Sequence, residues 1–179
     1  AVNNGADIIN CSWGQGAAYF SPEYRDSPLY KAITYAWSLG RIVVVAAANS
    51  NRDTFYYAPA NHPYVITVGA SDHNDKKTDF SNRGQGIDVV APGGDSPTKE
   101  TVFPRLDSQA FRNILSLRAG NVDPGFLTVG GDYYRQAGTS MSSPHVAGVC
   151  ALILSHKPSF KVDEVRQILR NSADDIESE

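Results

Sequence analysis

The chain has 179 residues, 41% of them hydrophobic and 20% charged, with a formal net charge of −3. That is enough chain for one domain with a core of its own. The balance excludes a basic nucleic-acid surface and a charged tail, and the longest apolar run, "IVVVAAA" (Ile42 to Ala48), is strand-sized and too short to cross a bilayer.

The first residues, "AVNNGAD", contain neither an initiator methionine nor a leader. The natural N-terminus is therefore expected to have been removed, so the missing leader says nothing about compartment. "ADIINCSW" (Ala6 to Trp13) reads as a strand. "SPLYKAITYAWSLG" reads as a helix with Ser27 as N-cap, Pro28 in the first turn and Gly40 at the stop. Leu29, Ile33, Ala36 and Leu39 fall on one face of it. "RIVVVAAA" (Arg41 to Ala48) is continuously apolar, as in a strand buried on both faces. "YVITVGA" (Tyr64 to Ala70) and "IDVVAP" (Ile87 to Pro92) are two more strands. Gly94 to Phe126 is an irregular excursion, with a helix expected over Ser108 to Arg118. Met141 to Ser155 is apolar nearly all round and reads as a buried central helix. Near the end, Val162, Val165, Ile168 and Leu169 form the stripe of a surface helix. Strands alternating with helices predict an α/β fold, a parallel sheet sandwiched between helices. The cysteines, Cys11 and Cys150, each sit in an apolar run and read as buried free thiols.

Three stretches can carry chemistry. "GTSMSSPHVAG" (Gly138 to Gly148) places Ser140 in a glycine-led turn at the start of a helix, near free backbone N–H groups and the positive end of the helix dipole. Such groups can hold the negative charge that develops in acyl transfer. The plain alternative is a serine N-cap. "VVVAAANSN" brings a buried strand to Asn49, whose amide can donate without carrying charge; the alternative is an ordinary turn asparagine. "NCSWG" (Asn10 to Gly14) ends another strand in small, flexible residues, or simply leads into a loop.

In their order, these pieces resemble the subtilisin-like serine peptidases, the subtilases. "GTSMSSPHVAG" is similar to the family's nucleophile motif, "GADIINCSWG" to its substrate-binding strand, and "VVVAAAN" to the strand carrying its oxyanion-hole asparagine. "YAPANHPYVITVGASD" and "FSNRGQGIDVVAPG" resemble two further blocks. The resemblance covers nearly the whole chain except about residues 94–126, which look like an insertion. It implies a subtilisin-like α/β fold lacking its N-terminal part, and a serine endopeptidase acting through an acyl-enzyme on Ser140. Asn49 and the Ser140 N–H would line the oxyanion hole. Ser12, Trp13 and Gly14 would form an edge that pairs with an extended polypeptide substrate. Ala46, Ala47 and Ala48 would wall the pocket for the side chain before the scissile bond. Pro59 matches a proline that follows a cis bond.

Two residues depart from the family pattern. Ala48 stands where glycine is usual, and Trp13 is large enough to fill or gate part of the cleft. The larger departure is the triad. Subtilases place it in the order Asp, His, Ser, and no matching Asp or His block precedes Ala6. Base and acid are expected upstream of Ala1, so the chain alone is expected to be inactive. A parent without them would be a pseudopeptidase or a peptide-binding module. His145 lies about 140° round the helix from Ser140 and about 7.5 Å along it, which suits packing or a local hydrogen bond rather than base catalysis. His62, His73 and His156 are not expected to serve Ser140. Asp72, Asp75 and Asp79 read as solvated carboxylates. No metal or cofactor is required, although calcium is compatible with those aspartates. The expected partners are an extended polypeptide and the upstream part of the same protein, with no nucleic acid or membrane, and the isolated chain is expected to self-associate. The family is often exported, which favours a secreted or cell-surface location.

Overall fold

The computed structural model describes residues 1–19, 21–95, 112–120 and 128–176. Strand β1 (Ile8–Cys11) leads into a short strand β2 (Gln15–Gly16). Helices α1 (Pro22–Arg25) and α2 (Pro28–Ser38) each open with a serine followed by a proline. The Ser21 and Ser27 hydroxyls accept the first-turn amides of Tyr24 and Tyr30, and the Tyr24 amide is shared with the Ser21 carbonyl. The prolines cost nothing there, because a first-turn N–H would go unused. Gly40, at φ 71°, turns the chain into β3 (Ile42–Ala46). There follow β4 (Tyr57–Ala58), β5 (Ile66–Ser71) and β6 (Val89–Pro92). Then come β7 (Ile114–Leu117), β8 (Thr128–Val129) and β9 (Tyr133–Gln136), and finally α3 (Thr139–His156) and α4 (Val162–Ser172).

The main sheet has four parallel strands in the order β1-β3-β5-β6. Every residue of β3 is buried. Its side chains alternate between two apolar layers, as the period of a strand requires. Ile42 and Val44 pack with Val146 and Cys150 of α3 and with Val162, Val165 and Leu169 of α4. Val43 and Val45 pack with Ile33 and Ala36 of α2. Helices therefore cover both faces, as the uninterrupted apolar run implied. Asp88, with a side chain 1% exposed, fastens α4 to the sheet: it lies 2.7 Å from Arg166 Nε and accepts the Thr67 amide at 2.9 Å.

Several expectations are corrected. α3 is not buried all round. Val146 and Cys150 face the sheet, whereas Val149 and Leu152 are 44% and 70% exposed. Apolar character on every face cannot by itself say which faces are covered. The helix expected over Ser108 to Arg118 is instead a strand at Ile114–Leu117, paired antiparallel with Tyr133–Gln136. The helix-forming preference of its leucines yields to pairing with a β-favouring Tyr-Tyr segment; residues 108–111 of the expected helix, including Ala110 and Phe111, lie outside the described residues. Leu39 ends α2 half-exposed rather than joining its buried face. Cys11 is only half-buried, while Cys150 is fully buried, and both are free. Burial pushes the Cys150 thiol up to about 12 and that of Cys11 upward as well, so neither is a ready thiolate. The Ala58–Pro59 bond is cis. Among the described residues no helix is long and apolar enough to cross a membrane.

Candidate active site

Parallel strands bring their carboxyl ends to one edge of the sheet, where ligands of α/β folds gather. Here β1 delivers Ser12, β3 delivers Asn49 and β6 delivers Gly93. The turn Gly138–Ser140 arrives between them. Gly138 has φ 147°, a conformation that L side chains rarely adopt, and a Cβ there would lie 3.2 Å from Asn49 Nδ2. Its N–H donates to the Gly93 carbonyl at 2.8 Å. Glycine is thus required by the backbone angle, and any side chain would also crowd Asn49.

Asn49 is oriented by its neighbour. Its Oδ1 accepts the Thr139 amide at 2.9 Å and the Thr139 hydroxyl at 2.8 Å. With the oxygen so engaged, the Nδ2 donor is the end that lies against Gly138. Ser140 is the second residue of α3, in the first turn, where amides have no helical acceptor. Its hydroxyl donates to the Ser12 carbonyl at 3.0 Å. Asn49 and the Ser140 turn, 90 residues apart by way of Thr139, are therefore brought together. An amide donor, a first-turn N–H and a hydroxyl at one helix start can bind a developing oxyanion beside an attacking oxygen.

The remaining sequence-derived site residues are less tightly gathered. Trp13 is 51% exposed. Gly14 lies against the Ala58 carbonyl, which a Cβ would approach to 3.1 Å. Ala46 and Ala47 are buried, and of the three alanines only Ala48 is partly exposed. Ala48 has φ 76°. That left-handed conformation costs a non-glycine residue about 1–2 kcal/mol, which is a backbone reason, unseen in the sequence, for the glycine usual at this place.

A depression of about 310 Å³ opens beside Ser140. Met141, Pro144 and His145 line it from α3, and Ile114, Leu115, Ser116, Tyr134 and Gln136 from β7 and β9. Ser12 to Gly14, Ala46 to Ala48 and Asn49 do not line it. His145 does, but its Nδ1–H donates to the Met141 carbonyl at 2.8 Å, the local hydrogen bond expected of it. His62 is buried against Tyr30, Thr34 and Tyr64. Burial pushes its pKa down to about 4, against a smaller upward pull from its bond to the Tyr30 carbonyl. His73 lies 3.2 Å from Asp95.

Asp72 is not a free solvated carboxylate. Its Oδ1 accepts the amides of Asn74 and Lys76 at 2.8 and 3.0 Å. Asp72, His73 and Asp95 each bring a ligand atom within 4.8 Å of the others. Arg112 stands 3.6 Å from Asp95 and supplies there the positive charge that a cation would bring. Asp75 and Asp79 are exposed, as expected.

The residues missed from the sequence are Thr139, Gly93 and the β7–β9 wall. Thr139 adjoins the nucleophile motif, but nothing in its type predicts that it grips Asn49. The β7–β9 wall was hidden by the helical reading of Ile114 to Leu117.

The profile of the subtilase family, Peptidase S8, matches residues 1–179. The chain is 37% identical to serine protease AprX of Bacillus subtilis (strain 168), over 94% of this chain and 38% of that protein. It is 36% identical to a thermophilic serine proteinase of Bacillus sp. (strain AK1), over 98% of this chain and 34% of that protein. It thus spans well under half the length of these curated relatives. Among solved structures, a protease from Pseudoalteromonas arctica PAMC 21717 superposes with a TM-score of 0.75 at 35% identity, covering 96% of this chain and 45% of that one. A lanthipeptide protease superposes with a TM-score of 0.81 at 24% identity, over 99% and 57%, a likeness of fold alone.

Proposed function

Because this chain belongs to the subtilase family of serine proteases, we propose that it is the Ser140-bearing part of an endopeptidase. Ser140 Oγ attacks the scissile carbonyl carbon, and its proton passes to a base. The C–N bond then breaks, the proton goes to the leaving amine, and water hydrolyses the acyl-enzyme. Asn49 Nδ2 and the Ser140 N–H hold the oxyanion, and Ser12 to Gly14 pair with the extended substrate. Ala46 to Ala48 wall the pocket for the residue before the scissile bond, and residues 94–126 are an insertion, of which Ile114, Leu115 and Ser116 line the depression beside Ser140.

The observation that carries this reading is the pinning of Asn49 Oδ1 by Thr139, which leaves the donor end of the amide against the turn of Ser140. The base and acid come from chain upstream of Ala1. The Ser140 hydroxyl here donates to a backbone carbonyl, a group that cannot take its proton. The half-exposed outer face of α3 and the side of β1 that has no strand partner among the described residues are where that upstream part would pack.

The test compares a fluorophosphonate probe and a chromogenic peptide on the full-length protein, Ser140→Ala, Asn49→Ala, and the 179-residue chain alone. The full-length protein should label and turn over, and Ser140→Ala should do neither. Asn49→Ala should lose about 10²–10³ in kcat, the magnitude known from subtilisin, a member of this same family. The isolated chain should not turn over. A full-length protein that binds peptide but never labels would be a peptide-binding module instead.

A further inference from the structure

Pro144 stands inside α3. Proline has no N–H, so the carbonyl four residues back, that of Ser140, is left without its helical donor. The Ser12 hydroxyl meets that carbonyl at 2.8 Å, across 128 residues of sequence. The same hydroxyl accepts from Asn10 Nδ2 at 2.9 Å and lies 3.0 Å from Ser143 Oγ. A hydroxyl has one proton and two lone pairs. With its proton on Ser140 O and its lone pairs facing Asn10 and Ser143, the Ser12 side chain is fully used. Its backbone carbonyl meanwhile accepts the Ser140 hydroxyl at 3.0 Å. Ser12 therefore holds Ser140 at two points, one on the main chain and one on the side chain.

We propose that the Ser12 hydroxyl is a positioning group for Ser140, taking up the carbonyl that Pro144 leaves free and so fixing where the Ser140 N–H and hydroxyl point. This role is separate from any contact between substrate and the Ser12–Gly14 edge, and it rests on the hydrolase reading of Ser140. Without the Ser12 hydroxyl, the first turn of α3 has a carbonyl with no donor and can tilt to find water. The tilt swings the hydroxyl and the N–H together.

The experiment is a double-mutant cycle in the full-length protein with Ser12→Ala, Pro144→Ala and the pair, and Ser12→Thr as the conservative variant. Ser12→Ala should lower both kcat and the fluorophosphonate labelling rate about 10–100-fold, the cost of a small misplacement of a reacting group. KM should change little. Adding Pro144→Ala to Ser12→Ala restores an N–H opposite the Ser140 carbonyl and should recover most of the loss, while Ser12→Thr should retain activity. An unchanged kcat in Ser12→Ala, or a loss that Pro144→Ala does not recover, would overturn the proposal. A merely structural role would lower the melting temperature and leave the kcat of folded enzyme intact. If the unmutated protein never labels, the hydrolase reading fails separately, and hydrogen exchange then decides. Faster exchange at the Met141 to Ser143 amides in Ser12→Ala, slowed again in the pair, upholds the grip, and unchanged exchange refutes it.

Discussion

The four-stranded parallel sheet and the three-stranded antiparallel sheet of β7, β9 and β8 both reach the turn of Ser140, and they are built on opposite terms. In the first, β3 is wholly buried and both faces carry helices. In the second, Leu115, Leu117, Val129 and Tyr133 are all between 39% and 72% exposed. The first sheet delivers backbone ends whose positions are fixed by packing on two sides. The second supplies a wall whose apolar side chains lie open. Stability should therefore reside in one sheet, while the other is free to change shape and composition without unfolding the domain.

The sharpest way to break this comparison is to cut the buried anchor. Asp88→Ala leaves the Thr67 amide without its acceptor and takes from Arg166 its carboxylate, leaving it only the Pro63 carbonyl. Chemical denaturation should show a loss of about 3 kcal/mol, since a buried donor left alone and a broken buried pair each cost that order.

Acid should act on the other face of the sheet, beneath α2. His62 has a pKa near 4 in the folded state against 6.5 for the free side chain. Between those values the unfolded chain binds a proton that the folded protein refuses. Stability is thus full above about pH 6.5 and falls as the pH is lowered to about 4, by at most about 3 kcal/mol. Urea titrations across that window should show the slope, and His62→Phe should remove it. A slope that survives the substitution would assign it to other groups.

A smaller effect is expected at Ala48, where the strain lies in the backbone rather than in the packing. Ala48→Gly should raise stability by about 0.5–1 kcal/mol, the relief of a left-handed alanine less the added freedom of the unfolded glycine. A rise in melting temperature would confirm it, and a fall would mean that the methyl group packs. The smallest effect belongs to the open sheet: Leu117→Ser, at a residue 72% exposed, should stay within about 0.5 kcal/mol of the parent in denaturant titrations. A loss above about 1 kcal/mol there would end the distinction between the two sheets.

The same contrast explains what could be read in advance. The run Ile42 to Ala46 read as a doubly buried strand because it is short, uninterrupted and mostly β-branched. Ser27, Pro28 and Gly40 marked the bounds of α2 because caps are local chemistry. Ser140, Asn49 and Ser12 were singled out through motif order, and the fold brings all three together. What could not be read was anything settled by a distant partner. Ile114 to Leu117 became a strand through pairing with Tyr133 to Gln136. Val149 and Leu152 looked as buried as Val146, since hydrophobicity does not record which neighbour is present. The grip of Thr139 on Asn49 joins two loops through hydrogen bonds that leave no periodic trace.

The link from Gly138 to Gly93, at 2.8 Å, gives the site a third fixed bearing. Ser12 takes its position from one border of the main sheet, Asn49 from the interior and Gly93 from the opposite border. Ser140 is thereby triangulated across the full width of the sheet. A displacement of any one strand rotates the turn about the other two bearings instead of carrying it bodily away. Gly93 itself is wedged so closely that a Cβ would come within 2.4 Å of the Ala70 side chain and 2.7 Å of Ser142 Oγ. A serine located this way inherits the stiffness of the whole sheet rather than that of the short loop that carries it.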